Sequence, residues 1–266
     1  MSNLRTRDGG ALALALNEIK KTYNVDATIL GKGKTLHKWG FNANSANGTW
    51  ETVQDGGGTE TLLAANSITV VDSTSASDTM TLSIEGHYLD ASANLIFHVQ
   101  SATLTGTTAV TLSQPLARCS RMYVTSTALA VGTVTANAGE GGTVYARIDA
   151  GSSTTEKAAT TVSYRDFLIV TGFGSTILGG NNAAVRFRAE LKPKGGVWRA
   201  QARWALRGDN TDYDRDMKSP PFIIPPNTDI RIRSSASPAG TEIGAHFDGY
   251  FAIDEAYIND ASPAPA

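Results

Sequence analysis

Cysteine is nearly absent: the 266-residue chain has one, Cys119, so an intrachain disulfide is excluded and no cysteine-based metal site can be assembled. Charge is scarce as well, at 18% of residues, below the roughly 25% of an average soluble protein, which excludes disorder driven by charge excess. The net charge is −2, with no basic surplus, so binding to nucleic acid through phosphate neutralisation is not expected. No apolar run approaches the ~20 residues of a membrane-spanning helix, and membrane insertion is not expected. The apolar stretch Gly9–Leu16 behind Arg5 and Arg7 is short for a secretion signal.

Catalytic signatures are missing too. The four histidines, His37, His87, His98 and His246, never stand at His-x-x-x-His spacing. The chain has no Gly-x-Ser-x-Gly elbow and no phosphate-binding Gly-x-x-x-x-Gly-Lys loop. Glu85, Asp90, Glu190 and Glu242 are scattered, and nothing in the sequence sets two of them across one cleft as sugar hydrolysis requires. The expectation is a chain that is not an enzyme and needs no cofactor or metal.

What is present is threonine, serine, asparagine and 26 glycines around a 41% hydrophobic content, a mixture suited to short strands and tight turns. Residues 1–38 stand apart. Leu12, Leu16, Ile19 and Tyr23 fall on one helical face, Asp8 can cap it, and Lys20 and Lys21 suit its C-terminal end. This predicts an N-terminal helical arm that either covers the chain's own core or docks on a neighbouring subunit.

From Trp39 onward the hydrophobic period is two. Met80, Leu82 and Ile84 alternate with polar residues, and Leu95, Phe97 and Val99 form another such face. Thr103–Ser126 reads as a threonine-rich hairpin around Gln114-Pro115, with Val110, Leu112, Met122 and Val124 inward. Val185, Phe187, Ala189 and Leu191 pair through a Lys194-Gly195-Gly196 turn with Trp198, Ala200, Ala202, Trp204 and Leu206. Prolines around Phe222-Ile223-Ile224 mark an edge or a connection. The fold expected is all-β: two tandem antiparallel β-sandwiches of jelly-roll type, 39–138 and 139–260, behind the arm 1–38 and before a short tail 261–266. The glycine-rich stretch Gly132–Gly142 sets that boundary; the alternative is a long hairpin loop within one larger sandwich.

Two charged features invite partners. Arg186, Arg188, Arg199, Arg203, Arg231 and Arg233 alternate outward, either as a docking face or as an ordinary charged sheet surface. The run Asp209–Asp216 places alternate carboxylates that could wrap a cation, though it lacks the glycine and distal glutamate of an EF-hand; a solvated loop is the simpler reading. Arg207-Gly208-Asp209 and the sequon Asn47-Gly48-Thr49 are too short to carry weight.

A set of segments in fixed order resembles a known group. Trp39-Gly40-Phe41-Asn42, Thr49-Trp50-Glu51-Thr52-Val53, Asp55-Gly56-Gly57, Val70–Thr79, Ile84-Glu85-Gly86, Leu104–Val110 and Arg118–Val124 are similar to the virion-associated β-sandwich proteins of tailed bacteriophages. Gly142–Ile148 and Ile224-Pro225-Pro226-Asn227-Thr228-Asp229-Ile230 extend the resemblance through the second half. A shortened Asp78-Thr79-Met80-Thr81 segment departs from that pattern. The resemblance implies a structural protein located in the virion and assembled in the host cytoplasm: a short tail fibre or fibre anchor, held by its arm, homo-oligomeric and expected to be a trimer among other tail or capsid proteins. It implies no catalytic residues. A capsid decoration protein is one alternative. Another is a receptor- or carbohydrate-binding module for a host-surface glycan, with Trp50, Tyr88, Tyr213 or Tyr250 exposed.

Overall fold

The computed structural model describes residues 34–60, 62–179, 182–208, 211–216 and 222–253. The expected arm, with Leu12, Leu16, Ile19 and Tyr23, and the tail lie outside them. The described residues form seventeen strands, with no helix among them: β1 Lys34–Asn42, β2 Glu51–Thr52, β3 Ile68–Ser73, β4 Thr81–Leu89, β5 Leu95–Thr103, β6 Val110–Leu116, β7 Arg118–Val124, β8 Val134–Asn137, β9 Val144–Ile148, β10 Ala159–Val162, β11 Asp166–Gly179, β12 Ala184–Pro193, β13 Arg199–Arg207, β14 Thr211–Asp216, β15 Phe222–Ile224, β16 Thr228–Ser237 and β17 Glu242–Ile253.

Two sandwiches result, but they are nested and not in tandem. The host sandwich packs the sheet β1-β17-β11, whose far edge is shared by β14 and β15, on the sheet β16-β12-β13, whose near edge is shared by β2 and β10. Its core joins Leu168, Phe173 and Phe247 of the first sheet to Val185, Phe187 and Ile232 of the second. The inserted sandwich packs β6-β3-β8-β9 on β5-β4-β7 around Ile68, Leu116, Val134 and Ile148 from one sheet and Leu82, Ile84 and Met122 from the other. The chain therefore starts the host with β1 and β2, builds the insert with β3 to β9, and returns to finish the host.

The expected boundary at residues 138/139 does not separate the sandwiches. It falls in the hairpin between β8 and β9, paired Val134 to Ile148 in one sheet. Gly139 and Gly141 there adopt positive φ, and the Gly142 amide closes the turn on the Gly139 carbonyl at 3.0 Å. The glycines serve a tight turn that needs left-handed backbone, and not a linker. Periodicity also cannot show that β1 closes on β17, in register from Lys34–Phe251 to Asn42–Ile243, because that pairing spans the whole chain.

Thr103–Ser126 is not a hairpin either. β6 belongs to one sheet of the insert and β7 to the other, so the chain crosses the sandwich at Ala117. Pro115 lies within β6, an edge strand, where its missing N–H costs no ladder bond. The edge position of Phe222–Ile224 agrees with the proline argument.

Candidate functional site

The inserted sandwich sits on the edge of its host where β1, β2 and β10 end the two sheets. Covering such edges removes unpaired strand backbone from solvent. The seam is polar. Arg118, at the start of β7, donates from Nε to Asp229 Oδ1 at 2.9 Å and from Nη2 to Oδ2 at 3.2 Å, and Thr161 Oγ1 donates to Oδ1 at 2.6 Å. Lys157, 2% exposed, has an acceptor for each of its three protons: Glu60 Oε1 at 2.6 Å and the carbonyls of Cys119 and Tyr145 at 3.2 and 3.3 Å. Asn227, in left-handed backbone, accepts the Leu95 amide at 2.9 Å.

The Asp55-Gly56-Gly57-Gly58 loop completes the seam. Its three glycines all have positive φ, a path that residues with a side chain rarely take, and a Cβ on Gly56 would meet the Arg147 guanidinium of β9 at 2.6 Å. Asp55 Oδ2 accepts the Glu156 amide at 2.9 Å. Burial, followed by the charges of Glu156 and Asp149, pushes the Asp55 carboxyl up to about 8 against the pull of that amide. Gly40 is needed for another reason: an added Cβ would lie 2.2 Å from the Ala158 nitrogen and the Val53 oxygen.

Beside the seam a cleft of about 790 Å³ opens between β1 and β10 of the host and β4, β5 and β7 of the insert. Lys38 lies at its floor, 7% exposed, donating to the Ser120 carbonyl at 2.5 Å. Burial first, then the charges of Lys157 and Arg121, lower its ammonium to about 7. His87 is buried on the opposite wall, with Nε2 3.2 Å from Ser163 Oγ and Nδ1 without a partner. Burial and the Arg118 charge lower that imidazole to about 3. A Ser–His pair of this kind makes a poor nucleophile: the base is too weak near neutral pH, and no carboxylate orients its second nitrogen.

Glu85 and Glu156 share this cleft with Asp166, a juxtaposition invisible in a sequence where they stand 71 and 81 residues apart from Glu85. Burial, then Asp149, raises the Glu156 carboxyl. Phe97 and Val99, expected on an inner face with Leu95, are instead 44% and 49% exposed and line the cleft. Their alternation was legible; the face they turn to was not, since β5 buries Gln100 and Ala102 on the other side.

The arginine row divides. Arg203, Arg188 and Arg233 are register partners across β13, β12 and β16. Arg231 is 2% exposed, bonded to Glu190 at 2.9 Å and capped by Trp198 at 3.8 Å. Arg188 pairs with the same carboxylate at 2.5 Å under Trp50, and Arg233 donates to the Trp50 carbonyl. Arg186, Arg199 and Arg203 are exposed. Trp198, expected in the core beside Trp204, is on the outer face because a bulge near Ala189/Glu190 shifts the pleat of β13 by one residue. Trp204 does face inward, parallel to Phe187 at 5.6 Å.

The aromatic residues expected at a receptor surface are engaged. Tyr213 stacks on Trp204, Tyr88 packs on the insert core, Trp50 covers Arg188, and Tyr250 is half-buried. The acidic run is a strand over Thr211–Asp216, paired with β11. Among the described residues, no group of three or more histidine, cysteine or acidic side chains is placed to hold a metal ion.

No known protein family matches the sequence, and no curated protein matches it. Distant structural likeness exists to structures of infectious bursal disease virus. The infectious bursal disease virus Gx strain structure is 11% identical, with 84% of this chain and 73% of that chain covered and a TM-score of 0.25. The VP2 subviral particle of the same virus gives 10% identity, 85% and 73% coverage, and 0.22. At such scores the architecture rests on the chain's own strands and register.

Proposed function

We propose that the chain is a non-enzymatic structural protein of a tailed-bacteriophage virion, a short tail fibre or fibre-anchoring protein that is attached through its N-terminal arm and forms a homotrimer. One observation carries the reading. Five of the segments that resemble phage virion proteins (39–42, 55–57, 118–124, 142–148 and 224–230), scattered over the sequence, meet at the seam between the sandwiches, while Val70–Thr79 and Leu104–Val110 meet each other inside the insert. The Asp55–Gly58 loop rests on Arg147, Arg118 grips Asp229, Asn227 holds Leu95, and Gly40 lets β1 approach Ala158. A resemblance in unrelated turns would have no reason to collect on one interface. The exposed arginines Arg186, Arg199 and Arg203 add a charged surface suited to a neighbouring subunit or an acidic partner.

The test is sedimentation of the full chain, followed by immunogold labelling of virions from the host that produces it. The expected outcome is a species of three 28.0 kDa copies and label at the tail. Label on the head would move the protein to capsid decoration. A stable monomer absent from particles would overturn the reading.

A further inference from the structure

We propose that the cleft between the two sandwiches is a binding site for a neutral oligosaccharide, held by the polar side chains of both walls and by the ring of Phe97. This goes beyond the virion reading and does not depend on it.

The first support is an unmet hydrogen bond. His87 is 2% exposed and lines the cleft, yet its Nδ1 has no partner. A buried polar atom left alone is costly, and this one, unlike those of Ser45, Asn137, Thr176 and Ser234, belongs to a side chain that lines the cleft. Lys38 adds to this. It lines the same cleft and has the Ser120 carbonyl as its hydrogen-bond acceptor, leaving further ammonium protons to offer.

The second support is the chemistry of the walls. Carboxylates Glu85, Glu156 and Asp166 share the walls with Lys38 and Arg121, and the hydroxyls of Thr154, Thr160 and Ser163 line the space between. Donors and acceptors are both abundant and neither sign of charge dominates. An anion would meet the two glutamates, a cation would meet Lys38 and Arg121, and an apolar ligand would strip water from hydroxyls without replacing it. A ligand with many hydroxyls satisfies all of these groups.

The third support is an apolar surface inside this polar lining. Phe97 is 44% exposed, with its ring centroid 5.5 Å from that of His87 at 66°. A pyranose has one C–H face and a rim of hydroxyls, matching an exposed ring set among hydrogen-bonding groups. The volume, about 790 Å³, lies within the ~300–1,000 Å³ of small-molecule sites. Both sandwiches contribute to the site and are tied together by the Arg118–Asp229 pair next to it.

The probe is an array of defined neutral, acidic and amino oligosaccharides presented to the full chain, followed by calorimetric titration of the best neutral binder. Phe97→Ala removes an exposed ring and leaves both cores intact; Glu85→Gln keeps the shape and removes the charge. Each is expected to weaken binding about tenfold or more, ~1.4 kcal/mol. Val197→Ala, at an exposed residue outside the cleft, is expected to change nothing. Unchanged melting temperatures in the Phe97 and Glu85 variants separate lost contact from lost fold. The proposal is overturned if no neutral oligosaccharide binds, if only charged ones do, or if Phe97→Ala and Glu85→Gln bind as tightly as the natural chain.

Discussion

The cores of the two sandwiches and the seam between them are built from opposite materials. The core of each sandwich is built mainly from Leu, Ile, Val, Phe and Ala, with Met122 and Cys119 added in the insert, stabilised without direction by removal from water. Across the seam the buried groups are Arg118, Lys157, Asp229, Asp55 and their partners, each needing a specific counterpart. Apolar packing fixes what the two bodies are. Directional polar contacts fix how they sit, and so set the cleft between them. A polar seam is also the part of the molecule that charge and pH reach.

The largest effect expected from testing this contrast is at Asp229. Its carboxylate is 4% exposed and accepts from both Arg118 and Thr161. Asp229→Ala leaves the largely enclosed guanidinium without its carboxylate, with only the Leu63 and Ala117 carbonyls as acceptors, at a cost of about 3 kcal/mol, read from urea denaturation. In a double-mutant cycle with Arg118→Ala, the pair is expected to cost well under the sum of the single changes. The paired replacement Arg118→Met with Asp229→Leu is the harsher trial. Stability restored by apolar side chains, with altered ligand or subunit binding, would show that the seam is polar for orientation. Stability still lost would mean that the polar pair itself holds the sandwiches together.

A smaller effect sharpens the contrast through pH. Asp55 has its carboxyl raised from 3.8 to about 8, so between those values the folded chain keeps a proton that the unfolded chain has lost. Its contribution to stability is full below pH ~4 and fades as pH rises to about 8. Asp55→Asn stays neutral throughout. Its melting temperature is therefore expected to equal that of the natural chain near pH 4 and to exceed it progressively toward pH 8. The gain is no more than a few kcal/mol, since a pKa unit is worth ~1.4 kcal/mol and solvent at the seam screens part of it. His87 and Lys38 act with the opposite sign. His87, lowered to about 3, loses stability as pH falls below ~6.5, and Lys38, lowered to about 7, loses it as pH falls from ~10.5 toward 7. The difference between the natural chain and Asp55→Asn cancels both and isolates the carboxyl. A flat difference across pH 4–8 would remove Asp55 from the set of strained seam groups.

Local patterns carried the strands and their cores into the sequence. Val185, Phe187, Ala189 and Leu191 alternate as written and are all buried, and Lys194-Gly195-Gly196 turns the chain where expected. What failed was non-local. Nothing in the spacing of Lys34–Asn42 says that it closes on Glu242–Ile253, so the nesting of one sandwich in the other could not be read. One bulge sent Trp198 to the outer face, because an extra residue reverses every side chain beyond it. The cleft was hidden for the same reason: Lys38, the Glu85/His87 pair of β4, and Glu156 belong to three separate segments. One signal was available. Phe97 and Val99 formed an apolar face for which β5 had no core to fill.

The arginine row gives the smallest effect and the finest division between what is buried for orientation and what is left for partners. Arg231 and Arg203 stand on adjacent outward rows of one sheet and look equivalent in sequence. Arg231 is enclosed by Glu190 and Trp198, whereas Arg203 is exposed. Arg203→Ala, alone or with Arg186→Ala, is expected to change stability by less than about 0.5 kcal/mol, as for surface substitutions generally. If this surface meets a neighbouring subunit or an acidic partner, the same pair of changes weakens association and flattens its dependence on salt, measured by sedimentation at low and high ionic strength. Association that ignores both changes would make the exposed arginines a solvated sheet face. Docking would then have to be sought at the seam side of the molecule, around the cleft lined by Thr35 and Phe251.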